Sequence, residues 1–149
     1  MNTIIIFCAQ YLIFVAIGYV AARSLQGKHK IEHVLISLCT ALLAWVVAHF
    51  LKGIIAHPRP DSMHALIVPD DMYSFPSGHA TFMSALAVSM YSFNKKTGYV
   101  IFTLAIITGM ARVLAGVHFW YDILGGVCIG ALVGYLCVTV YTSFFKKII

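Results

Sequence analysis

The sequence predicts an all-α integral membrane protein: a five-helix transmembrane bundle with its N-terminus outside and its C-terminus cytoplasmic. Three observations carry this. Of 149 residues, 61% are hydrophobic and only 10% charged, where soluble domains run near about 25% charged. Mean hydropathy is +0.91. The apolar residues fall in long continuous stretches rather than in the alternating pattern of a membrane barrel. Residues 1–149 form one domain, with its motif-bearing core at about 45–135.

The first stretch runs from about Thr3 to Ala22 and spans roughly 30 Å at about 1.5 Å per residue, one hydrocarbon thickness. Arg23, Lys28 and Lys30 follow it. The second runs from about Val34 to Ala56, and the third, shorter, from Gly78 to Phe93, so its His79 end is expected below the membrane surface. Lys95 and Lys96 lead to the fourth, about Tyr99 to Val117. The fifth, Phe119 to Phe145, ends in Lys146 and Lys147. These seven cations belong on one side, the cytoplasmic one by the positive-inside rule. A cleaved signal peptide is disfavoured, because the positive charge follows the first apolar run. The same placement argues against nucleic acid as the reason for the net charge of +5.

Cys8, Cys39, Cys128 and Cys137 lie within apolar runs without a C-x-x-C pair, and read as small packing residues. Gly126, Gly130 and Gly134 share one face and favour close helix packing within the bundle. Glu32, His29 and His33 read as inner-loop groups, and His49 as a packed helix histidine that could instead face a site. His57 and His64 lie in the outer loop. Tyr73, Phe75, Phe119, Trp120 and Tyr121 fit an interfacial aromatic belt.

Orientation leaves three cations unexplained: Lys52, Arg59 and Arg112. They fall at the outer end with Asp61, Asp70, Asp71 and Asp122. In "KGIIAHPRPD", Pro58 and Pro60 push His57 and Arg59 toward extended backbone, so the helix ends near Ala56 with Arg59 above it. Lys52 and Arg59 together suit a multiply charged anion, although snorkelling at a membrane face would also account for them. In "PSGH", Pro76 and Ser77 fit a helix start whose free N–H groups bind anions. Gly78 admits close approach of a phosphate. His79 then sits beside the anion, suited to general acid work; an ordinary capped helix with an incidental histidine is the alternative.

In "ARVLAGVHFWYD", His118 and Asp122 are four apart and share a helix face. A carboxylate on one ring nitrogen orients the imidazole and leaves the other free as a nucleophile. A purely structural interfacial pair has the same spacing. Arg112, six residues earlier, can fork onto phosphate oxygens.

Lys52 to Pro60, Pro76 to His79, and Arg112, His118 and Asp122 together resemble the type 2 phosphatidic acid phosphatase superfamily, in its order and spacing: K-x6-RP, PSGH, SR-x5-H-x3-D. One position departs: the family serine is Ala111 here, so one hydroxyl contact to phosphate is lost and binding is expected to weaken modestly. The family commonly has six membrane helices, which implies that this chain lacks the first. The resemblance implies that His118 attacks phosphorus, Asp122 orients it and His79 protonates the leaving oxygen. It further implies that Lys52, Arg59, Arg112, Ser77 and Gly78 hold the phosphoryl oxygens, with no metal or cofactor. "GVHFWYDILGG" looks like the bacterial undecaprenyl diphosphate phosphatases of the superfamily. The implied substrate is a polyprenyl or glycerolipid phosphate reached at the outer face of the cell membrane. Phosphatidylglycerol phosphate, phosphatidate and lipid A phosphate are the alternative head groups; an anion transporter and an inactive scaffold are weaker readings.

Overall fold

The computed structural model describes residues 1–27, 30–60, 65–69 and 71–144. Among them are six helices: α1 Asn2–Gln10, α2 Leu12–Leu25, α3 Ile31–Ile55, α4 Gly78–Phe93, α5 Lys95–Leu114 and α6 Trp120–Phe144. Lys28, His29, Asp61, His64, Asp70, Phe145, Lys146 and Lys147, named above, lie outside the described residues.

The expected count of five differs because the first apolar stretch is two helices, bent by 52° at Tyr11. No proline or glycine stands at the break. The Ala9 carbonyl, in the last turn of α1, instead accepts a hydrogen bond from Arg112 Nη1 at 3.1 Å. A side chain entering the backbone ladder is a recognised cause of a sharp kink. Three helices, α3, α5 and α6, are long and apolar enough to cross a bilayer, and a fourth span results if α1 and α2 count as one. At 16 residues α4 falls short of that length.

Helix α4 is the core of the bundle. Its residues Ala80 to Ala87 are all buried, and it packs against α3, α5 and α6. The tight partner is α6, whose Gly126, Gly130 and Gly134 are buried. A Cβ at Gly126 would lie 2.7 Å from the Ser77 carbonyl oxygen, and one at Gly130 would lie 2.2 Å from that of Thr81. The small-residue face therefore serves packing within the bundle, as its spacing predicts. It also presses the start of α6 against the start of α4.

Helix α5 begins at Lys95, four residues before the expected Tyr99, because the Asn94 side chain accepts the Thr97 N–H at 3.0 Å and caps it. It ends at Leu114 in a Schellman turn: Gly116 N–H bonds to Val113 O (3.0 Å) and Val117 N–H to Arg112 O (3.2 Å). Gly116 has φ +75°, the left-handed conformation such a turn needs. Large apolar side chains such as Phe14, Leu35, Phe50, Phe102 and Leu136 cover the outside, the surface a bilayer would contact. Cys39 and Cys128 are on that exposed surface, rather than packed inside, while Cys8 and Cys137 are half-buried.

Candidate active site

Four helix ends meet at one end of the bundle: the C-termini of α3 and α5 and the N-termini of α4 and α6. Each contributes from its last or first turns. Lys52 sits in the last turn of α3. Gly78 and His79 open α4, with Ser77 at its N-cap. Arg112 lies in the last turn of α5, and Asp122 in the first turn of α6. The Schellman turn after α5 reverses the chain and delivers His118. Together Lys52, Arg59, Gly78, His79, Arg112 and His118 line a cavity of about 80 Å³, with Asp71, Trp45 and His49. Larger cavities, of about 490, 470 and 540 Å³, lie on the flanks and far end of the bundle and hold none of these residues.

The His118–Asp122 pair is buried, with both side chains no more than 1% exposed. His118 Nδ1 faces Asp122 Oδ2 at 3.3 Å, leaving Nε2 for the cavity. Asp122 Oδ2 also accepts the Phe119 N–H at 2.8 Å, and Asp122 Oδ1 accepts the Ser74 hydroxyl at 3.4 Å. The carboxylate thus caps α6 while it fixes the imidazole. Burial pushes the His118 imidazole down to about 4, against the opposing hydrogen bond to Asp122; the positive charges of Arg112, Arg59 and Lys52 push it further the same way. His118 is therefore neutral near pH 7, with a lone pair available.

The cations are held by a residue that the sequence reading placed only at the outer end. Lys52 Nζ meets both Asp71 oxygens, at 3.1 and 3.0 Å, and donates to the Tyr73 carbonyl at 2.7 Å. Arg59 Nε donates to the Asp71 carbonyl (2.9 Å) and Nη1 to the Val117 carbonyl (2.6 Å), while Nη2 pairs with the Asp71 carboxylate. Burial raises the Asp71 carboxyl, but the hydrogen bonds and charges of Lys52 and Arg59 outweigh it and hold the group below the usual carboxylate range. A guanidinium has five N–H donors, so Arg59 keeps two beyond those used here, whereas the three contacts of Lys52 match the three donors of its ammonium.

At the start of α4, the backbone N–H groups of the first turn have no intrahelical partner. The Ser77 hydroxyl is buried and makes no hydrogen bond among the described residues. Both features suit an anion.

A model of the PAP2 superfamily matches residues 35–146. The chain belongs to the PAP2 superfamily. Undecaprenyl-diphosphatase BcrC of Bacillus subtilis is 28% identical over 140 residues, covering 91% of this chain and 72% of that protein. Phosphatidylglycerophosphatase B of Bacillus subtilis is 37% identical over 99 residues, covering 58% of this chain and 47% of that protein. Among solved structures, the transmembrane PAP2-type phosphatidylglycerolphosphate phosphatase from Bacillus subtilis has the same fold, with TM-score 0.72 and 24% identity, over 96% of this chain and 77% of its own. LpxE of Aquifex aeolicus has TM-score 0.71 and 24% identity, over 93% and 87%.

Of the residues singled out from the sequence, Lys52, Arg59, Gly78, His79, Arg112 and His118 meet at the cavity, with Asp122 behind His118 and Ser77 at the adjoining cap. His57 instead ties the loop together, its ring within 3.0 Å of Ser74 Oγ and 3.4 Å of the Tyr121 hydroxyl. His33 stacks on Phe93 at the far end. Ala111, at the family serine position, is buried among Ala9, Ile67, Ala115 and Val117. Ser74 and Trp45 escaped sequence reasoning, which placed Asp71 at the outer end without seeing that it pairs with Lys52 and Arg59.

Proposed function

We propose that this phosphatase removes the terminal phosphate of a membrane lipid diphosphate, with undecaprenyl diphosphate the favoured substrate, through a phosphohistidine. His118 Nε2 attacks the terminal phosphorus while the bond to the leaving oxygen breaks. His79 donates the proton that this oxygen takes up. Water then attacks the phosphohistidine, giving its proton to His79, and inorganic phosphate leaves with His118 restored. Lys52, Arg59, Arg112, the α4 N-terminal amides and Ser77 balance the charge on the phosphoryl oxygens, and this chemistry needs no metal.

The observation that carries the reading is the buried, carboxylate-backed His118 sharing one small cavity with a second histidine and three cations. The undecaprenyl-diphosphatase relative, 28% identical over 91% of this chain, supports a diphosphate substrate, with phosphatidylglycerol phosphate, phosphatidate and lipid A as the alternative head groups. Lys30, Lys95 and Lys96 lie at the end of the bundle opposite the cavity, which by the positive-inside rule supports an active site on the outer face of the cell membrane.

The test uses the purified full-length chain in detergent with undecaprenyl diphosphate, phosphatidylglycerol phosphate, phosphatidate and lipid A, with and without EDTA. Phosphate should be released fastest from the diphosphate, with EDTA making no difference. A higher kcat/KM for another head group overturns the substrate, and loss of activity in EDTA overturns the chemistry.

A further inference from the structure

The cavity, about 80 Å³, is much smaller than the 470 to 540 Å³ of the other cavities, so in the reading above it takes the phosphoryl group and the rest of a lipid substrate lies at its mouth. Of the described residues lining it, Lys52, Arg112 and His118 are buried and Arg59, Asp71, Gly78 and His79 half-buried; Trp45 and His49 alone are exposed. These two define the mouth. They stand one turn apart on α3 with rings stacked at 4.9 Å and 27°. The Trp45 indole reaches the start of α4, since a Cβ at Gly78 would lie 3.3 Å from its Cδ1 and Nε1. Exposed Leu42, Val46 and Phe50 surround the pair on α3, so the mouth faces the apolar exterior through which a lipid chain must leave.

His49 makes no hydrogen bond among the described residues. It lies six residues, about 9 Å along the axis, inside the end of α3. A polar ring facing hydrocarbon without a partner is unfavourable, and a ligand that supplies an acceptor removes the penalty.

We propose that His49, braced by Trp45, is a specificity-determining residue that donates a ring N–H to the phosphate on the leaving side of a lipid diphosphate. This rests on the reading above, in which the terminal phosphate fills the cavity. The leaving phosphate of a diphosphate then sits at the mouth as a charged acceptor. A lipid monophosphate places only an ester oxygen and a methylene there.

Farnesyl diphosphate and farnesyl monophosphate, identical in chain, separate the two cases. In the full-length protein, His49→Ala should lower kcat/KM for the diphosphate about 10-fold more than for the monophosphate, the size of one hydrogen bond to a charged group. His49→Gln, which keeps an N–H donor, should retain part of that preference and leaves the fold undisturbed if the alanine variant does not. Equal losses on both substrates in the folded alanine variant, or a glutamine variant that loses the preference as fully as alanine, overturn the role of His49 while leaving the proposed reaction intact. A wild-type protein that cleaves only the monophosphate, or neither, overturns the diphosphate reading and this role with it.

Discussion

The two ends of the bundle carry the same kinds of charged residue and treat them in opposite ways. At the far end, the Lys30 side chain is 74% exposed and the Glu32 carboxylate stands 3.6 Å away; Lys95 and Lys96 are exposed at the start of α5. At the site end, the Lys52 side chain is 5% exposed, fixed by both Asp71 oxygens and by a backbone carbonyl. Arg59 reaches Asp71 and Val117, and Arg112 reaches across to Ala9. The far-end cations report orientation and need no geometry. The site-end cations are preorganised, which lets them stabilise charge without reorganising during reaction. The difference lies in burial and in acceptors brought from distant parts of the chain.

The largest break in this contrast should come at the buried imidazole. His118→Ala should remove at least about 10²-fold of kcat, with a monodisperse protein and an unchanged helical spectrum. The same residue sets a pH limit. Its folded value, about 4 against 6.5 for an ordinary histidine, keeps it unprotonated as pH falls through the range where a free histidine gains a proton. The acid limb of kcat/KM belonging to His118 should therefore lie near 4. A limb near 6.5 that is lost in His118→Ala shows instead that burial and the neighbouring cations do not depress this ring.

How much of this was legible follows from sequence distance. Helix α4 begins and ends as its pattern predicts, because PSGH is a local signal and the apolar run stops at Phe93. The α6 glycine face was equally readable, since spacing alone puts Gly126, Gly130 and Gly134 together. The α1–α2 break was not legible, because Arg112 caps a carbonyl 103 residues away. Nor was Asp71, whose role depends on the path of an irregular loop back over α3. The residues proposed to carry the chemistry stood out through their spacing, and those that hold them in place became visible only in three dimensions.

Lys52→Ala set beside Lys96→Ala sharpens the comparison at the level of single charges. Lys96→Ala should change kcat/KM less than about 2-fold and leave stability within about 0.5 kcal/mol, as surface changes do. Lys52→Ala should lower kcat/KM at least about 10-fold and destabilise by about 1–3 kcal/mol, since Asp71 loses a partner in a half-buried place. Adding Asp71→Ala to Lys52→Ala should recover part of the stability but none of the activity. Thermal unfolding and phosphate release measure the two separately. Equal behaviour of Lys52→Ala and Lys96→Ala erases the distinction between the two ends.

The smallest effect is expected at Ala111, the position where the family carries serine. A serine that reached the phosphate would add one charge-assisted hydrogen bond and raise kcat/KM by up to about 10-fold. The fold argues for less. Ala111 is 5% exposed and its neighbours are Ala9, Ile67, Ala115 and Val117, the apolar seam where α5 meets α1 and the outer loop; it does not line the cavity. A hydroxyl there needs an acceptor, and helices in this protein can supply one: Thr103, Thr139 and Thr142 each donate to the carbonyl four residues back at 2.8 to 3.0 Å, although the buried Ser37, Ser89 and Thr108 hydroxyls make no hydrogen bond among the described residues. In Ala111→Ser the hydroxyl should do the same with the Ile107 carbonyl, which removes most of the penalty for burying it. The expected result is therefore a change in kcat/KM of less than about 3-fold, with stability lowered by no more than about 1 kcal/mol. A 10-fold gain confined to kcat means that the serine turns to the phosphate in the transition state. In that case the seam at α1, and with it the Arg112 contact to Ala9, opens when substrate binds.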